Sequence, residues 1–225
     1  MLREARIDAV REKVGRFSFL LLSILLMFAL RPFLEPFIRI SLLSDLFFSL
    51  VMLSGIYAVG YKKRDYVLSF ATGIPAFLLS WTAELLHVPV VRLAAGIFSA
   101  LFFALALILI LSHVKKQREV TRDVVMGAVC AYFLLGIIWA HIYFLLEIAS
   151  PGSFSLTREF SRNPAHFIYF SFITLTTVGY GDILPVSNPA RSLAVLEAMV
   201  GQMYLAVTMA RLVAVHISQT RRQEA

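Results

Sequence analysis

The most chemically specific stretch of this sequence is Thr176-Thr177-Val178-Gly179-Tyr180-Gly181-Asp182. It offers main-chain oxygens, threonine hydroxyls and two glycines spaced by a single residue. An extended strand alternates its carbonyls from side to side, whereas glycine tolerates backbone angles that bulkier residues resist. Gly179 and Gly181 can therefore turn successive carbonyls toward one axis, and Thr177 can add a hydroxyl at the end of the row. Oxygens stacked in this way replace the water shell of a bare alkali ion along a narrow path. The expected K⁺ ligands are Thr177, Val178, Gly179 and Tyr180, with Gly181 completing the strand. Tyr180 is expected to point away from the axis and pack against Tyr169 and Phe170, holding the strand at a fixed diameter.

Such a strand needs elements to hold it. Asn163-Pro164 reads as an N-cap followed by proline at the first helical position. A short apolar and aromatic helix over about 164–176 is predicted to follow. Its partly negative C-terminus would then face the ion path. Apolar segments flank this unit, and hydropathy marks six along the chain, at about 15–34, 42–61, 66–86, 92–113, 124–148 and 190–216. Arg31 and Pro32 interrupt the first near its end, where an arginine can reach the headgroups. A membrane crossing takes about 20 helical residues. With 59% apolar residues among 225, the chain has too little polar surface to cover a soluble domain. The mean hydropathy of +0.79 agrees, and an integral membrane protein is expected.

The formal net charge is +7, but the cations sit in short clusters between apolar segments. The loops before the first segment and after the second, fourth and sixth hold fourteen Lys and Arg, against six in the loops on the other side. That asymmetry predicts that both termini are cytoplasmic. No basic domain interleaved with aromatics is present, so nucleic acid is not an expected partner. Cys130 lies alone inside an apolar run, which excludes an internal disulfide and argues against metal or redox chemistry. Residues 1–16 are basic like the start of a secretory signal, yet Ala29-Leu30-Arg31-Pro32 offers no small-x-small cleavage site. A retained first helix is expected. The charged stretch 113–123 divides an accessory four-helix domain, 1–123, from a pore domain, 124–225.

The segment resembles the potassium-channel pore family, whose filter motif is matched residue for residue by Thr177-Val178-Gly179-Tyr180-Gly181, with the usual acid, Asp182, after it. The resemblance covers about 124–216 and is strongest over 163–182. It implies an all-α membrane protein with six transmembrane helices and a re-entrant pore helix and filter between the last two. It also implies a homotetramer surrounded by lipid that conducts K⁺ passively, with no cofactor beyond the permeant ion. Thr176, Asp182, Tyr169 and Phe170 fall at the pore mouth and filter support. Some members carry a carboxyl in the pore helix four residues before the filter threonine; that position is Ile173 here. The family's frequent pore-helix tryptophans are replaced by Tyr169 and Phe170.

Gly201 stands twenty residues after Gly181, where the family commonly has a hinge glycine; close helix packing is the competing reading. Helical spacing puts Ala198, Gln202, Leu205 and Met209 on one candidate cavity face. Glu197 is an ionisable group inside an apolar helix and requires a partner or water. Anchoring the pore helix through Ser171 or Thr174 is one role; a carboxyl at the outer interface is the other. Under the anchoring role, Glu197→Gln is expected to weaken assembly or conduction. Arg211 reads as a side chain snorkelling to the inner interface.

Other functions fare worse. A voltage-sensing helix needs arginines at every third position, because each charge moved through the field contributes about 2.3 kcal/mol per 100 mV. Segment four carries only Arg92, at its edge. The histidines His87, His113, His141, His166 and His216 lack metal-ligand spacing. No converging acid, base and nucleophile suggests an enzyme. A K⁺-transporter subunit and a non-selective cation channel remain as alternatives. Loop 150–162 is expected to be a solvated turret, and the compact design suggests a prokaryotic plasma (inner) membrane.

Overall fold

The computed structural model describes residues 15–34, 40–60, 62–86, 88–117, 119–155 and 164–224. Asn163, His87 and the basic residues of 1–14 lie outside them, as does most of the expected turret. The architecture is all-helical: α1 (Arg16–Leu34), α2 (Ile40–Val59), α3 (Lys63–Leu86), α4 (Pro89–Lys116), α5 (Arg122–Ala149), α6 (Pro164–Leu175) and α7 (Asn188–Glu224). Four stretches are long and apolar enough to cross a bilayer: Lys63–Ala83, Pro89–Lys116, Arg122–Ala149 and Asn188–Thr220. The apolar parts of α1 and α2 within the described residues, Arg16–Leu30 and Leu46–Val59, are shorter. The last helix runs past His216 into a polar end, because hydropathy marks where a chain is apolar and not where a helix stops.

The helices are started by ordinary local chemistry. The Thr121 hydroxyl accepts from the Val124 amide at 3.3 Å and caps α5, with Asp123 in the first turn. Pro89 opens α4, where its missing N–H costs nothing. The charged stretch 113–123 therefore holds the end of α4 and the start of α5.

Helix α5 is shared by both halves of the molecule. It packs on α1 and α4 on one side and on α6 and α7 on the other, while α3 stacks outside α4 and α2 joins α1 to α3. Buried Phe17, Leu20, Phe102, Phe103, Leu134 and Ile137 fill the joint. Lipid tails are as apolar as these side chains, so close packing rather than water exclusion must hold the helices together. Gly136 on α5 illustrates this. A Cβ there would stand 2.7 Å from the Phe172 ring of α6, so glycine permits the approach.

Residues 150–152 and 155 of the connection after α5 are exposed, as expected of a solvated turret, and the departure is at residues 153 and 154. Ser153 and Phe154 are buried. The Glu147 carboxylate, itself buried, accepts from the Gly152 and Phe154 amides at 2.8 and 3.2 Å. Phe154 bridges to Pro185, and the Val186 amide donates to the Ser153 carbonyl at 2.8 Å. A buried carboxylate with two backbone donors is a stable arrangement, and it draws this loop onto the protein.

Candidate ion-conducting site

Helix α6 stops at Leu175, and its last carbonyls receive the chain that follows. The Thr176 amide donates to Phe172 O at 3.0 Å and the Thr177 amide to Thr174 O at 2.9 Å. Both the Val178 and Gly179 amides converge on Ile173 O, at 2.8 and 3.1 Å. Carbonyls left unsatisfied at any helix end are here used to fold a strand back against that end.

That strand has an alternating backbone. Thr177, Gly179 and Gly181 have φ of 61°, 55° and 84°, whereas Val178 and Tyr180 are outside the left-handed region. Inverting every second residue cancels the side-to-side alternation of a normal strand, so successive carbonyls share one side. The glycines were legible as such positions. Thr177 was not: a β-branched residue is disfavoured there by about 1–2 kcal/mol, so its residue type argues against the conformation it adopts. Strain held at one such position points to a functional constraint.

Tyr180 is 73% exposed in this chain, whereas Phe170 is buried against the rings of Tyr143 and Phe154, at 5.1 and 5.2 Å between centroids. Within this chain Phe170 therefore packs on those rings. Consecutive residues lie about 100° apart around a helix, so Phe170 turns to α5 while Tyr169 faces the strand. The Tyr169 hydroxyl donates to the Asp182 carboxylate, which holds its phenol above the usual tyrosine range. Phe154, from the loop before α6, also meets Phe167 at 5.3 Å. Nothing in the local sequence of that loop marked Phe154 or Glu147 as supports of the site.

Helix α7 presents one packed face. Glu197 is 0% exposed, with Oε2 at 2.5 Å from the Tyr143 hydroxyl and Oε1 at 2.5 Å from the Ser171 hydroxyl. Ser171 Oγ is also 2.7 Å from Gly136 O. Thr174, the other candidate partner, donates to Phe170 O in its own helix at 2.8 Å. Gly201 is buried against Leu175. Glu197 and Gly201 thus sit on the face turned to α5 and α6, and neither belongs to the exposed side on which a cavity could form. Ala198 is half-buried at the edge of that face, and Gln202, Leu205 and Met209 are exposed.

Arg211 does more than reach an interface. Its Nη2 donates to Val114 O at 3.0 Å and to Lys115 O, two carbonyls in the last turn of α4. Nearby, the Val120 amide donates to Gln219 Oε1 at 3.1 Å. These contacts join α7 to the front half of the chain.

Among the described residues no group of three His, Cys, Asp or Glu could hold a metal ion. Residues 129–217 match a family model described as an ion channel, a span that takes in most of α5, all of α6, the alternating strand and α7 as far as Ile217. No curated protein matches the chain. With four long apolar helices, the match makes this an integral membrane protein carrying an ion-channel domain.

Proposed function

We propose that the chain is one subunit of a homotetrameric potassium channel that conducts K⁺ passively through 177–181. The observation that carries the reading is the left-handed backbone at Thr177, Gly179 and Gly181, set against the end of a short helix. A row of carbonyls on one side of a strand is one quarter of an ion-binding ring system. Fourfold repetition around an axis supplies the other three, and a dehydrated K⁺ is the ion such oxygens suit. Residues 176–182 are all exposed in the single chain, as are Met199, Met203, Val207 and Val213 of α7. Apolar and backbone surface of this kind calls for neighbouring subunits and lipid.

In this reading six helices cross the membrane with both termini in the cytoplasm, as the fourteen-to-six distribution of Lys and Arg suggests. Asp182 then lies at the outer mouth and Thr177 at the inner end of the filter. Helix α4 carries only Arg92, near its start, so gating does not use a row of arginines moving in the field.

Reconstitution into liposomes, with reversal potentials recorded in opposed K⁺ and Na⁺ gradients, tests the proposal. The expected outcome is a K⁺-selective flux that Gly179→Ala abolishes. Equal permeation by Na⁺, or a purified assembly that is monomeric, overturns it.

A further inference from the structure

Four oxygen-bearing groups meet in sequence behind the filter: Tyr143 Oη, the Glu197 carboxyl, Ser171 Oγ and Gly136 O, joined by contacts of 2.5, 2.5 and 2.7 Å. Each contact requires one proton between its oxygens. A carbonyl brings none, and each hydroxyl brings one. If Glu197 were ionised, the Tyr143 and Ser171 protons would both turn to it. The approach of Ser171 to Gly136 O would then be lone pair against lone pair. With a proton on Oε1 the count closes: Tyr143 donates to Glu197, Glu197 to Ser171, and Ser171 to Gly136 O.

The surroundings agree. Glu197 is fully buried, and an unpaired charge in such a place is costly. No cation is bonded or ion-paired to it among the described residues, where the ion pair Arg64–Asp65 lies in α3. From α5, the titratable groups facing it are Tyr143 and, farther off, Tyr132, whose hydroxyl donates to Leu175 O at 3.3 Å. His141 of α5 instead packs on Phe48 and Phe103, toward the front helices. From α6, Ser171 faces it, while His166 stands in the first turn, more than one turn away.

We infer that Glu197 is a neutral carboxylic acid whose proton is donated to Ser171, completing a one-way chain that positions the pore helix between α5 and α7. Glu197 is then a positioning residue with a defined donor direction. The count also reverses the expectation that Glu197→Gln weakens the assembly. An amide oxygen accepts from Tyr143 and an amide N–H donates to Ser171, with one N–H to spare.

The test is infrared spectroscopy of the full-length protein in lipid vesicles at neutral pH. The expected result is a carbonyl stretch of a protonated carboxylic acid that disappears in E197Q and shifts in S171A, where the acceptor is gone. E197Q is expected to keep the oligomeric state of the wild-type protein. Absence of the acid band in the wild-type protein overturns the inference, as does a change of oligomeric state in E197Q. The inference rests on the channel reading only for the meaning of the positioning. A retained acid band with no K⁺-selective flux sinks that reading and leaves the protonated acid in place.

Discussion

The carbonyl oxygen of Leu175 lies 2.7 Å from the point where a Cβ on Gly201 would stand. Leu175 is the last residue of α6, and its backbone leads directly into 176–182. The obstruction is main chain, which cannot rotate aside as a side-chain tip would. Gly201→Ala must therefore push α7 away from the end of α6, at about 1–3 kcal/mol for overpacking. The expected outcome is a lower melting temperature of the assembly in detergent and reduced K⁺ flux. Unchanged melting with altered open probability would instead favour the hinge reading of this glycine.

Thr177 invites a substitution with opposed effects. Glycine at this position relieves a backbone strain of about 1–2 kcal/mol but removes the hydroxyl at the inner end of the row. Thr177→Gly is expected to keep or raise thermal stability while K⁺/Na⁺ discrimination falls in reversal-potential measurements. Thr177→Ser, which keeps the hydroxyl, is expected to stay closer to wild type in selectivity.

Glu147 tests the loop that was expected to be solvated. Its carboxylate receives the Gly152 and Phe154 amides, and Glu147→Ala leaves both without that acceptor. The Phe154 amide is buried, and an orphaned buried donor costs about 1–3 kcal/mol, whereas exposed Gly152 can turn to water. The variant is expected to melt earlier and to show faster amide exchange over 150–155. If exchange there is unchanged, the carboxylate is not what holds the loop.

The Tyr169 to Asp182 hydrogen bond carries a pH dependence whose sign is determined. The bond to the Asp182 carboxylate raises the phenol above its ordinary value. Its contribution is present below the ordinary tyrosine value of about 10 and is lost as pH rises through the raised one. Conduction or filter order that depends on this bond should fail only in strongly alkaline solution. Tyr169→Phe should lack that alkaline transition and behave the same on either side of it. A transition retained in the variant would assign the effect to another group.

Arg211 connects α7 to the end of α4 through the Val114 and Lys115 carbonyls. A cation that hydrogen-bonds the last carbonyls of a helix stabilises that end. Arg211→Gln is expected to speed amide exchange in the last turn of α4 and in 117–121, leaving the filter region unchanged. No change in α4 would mean that the contact adds nothing to the join between the two halves.

The apolar stretches were readable because a membrane helix writes its length into consecutive residues, and the described helices start and stop close to where hydropathy placed them, except that α7 continues past His216 to Glu224. The motif from Thr176 to Asp182 was readable for a similar reason: its chemistry lies in neighbouring backbone units and in two glycines. What tertiary structure decided involves partners far apart along the chain. Glu197 meets Ser171 across 26 positions and Tyr143 across 54, and Arg211 reaches Val114 across 97. Such distances leave no periodic trace, so a buried carboxyl, a cavity wall and an interface arginine look alike until the helices pack. The fold also put Thr177 into a conformation that its own side chain disfavours, a choice that local propensity could never have announced. Local chemistry determined which segments are helices and where an ion could bind; only the packing of α5, α6 and α7 decided which polar groups hold that site in place.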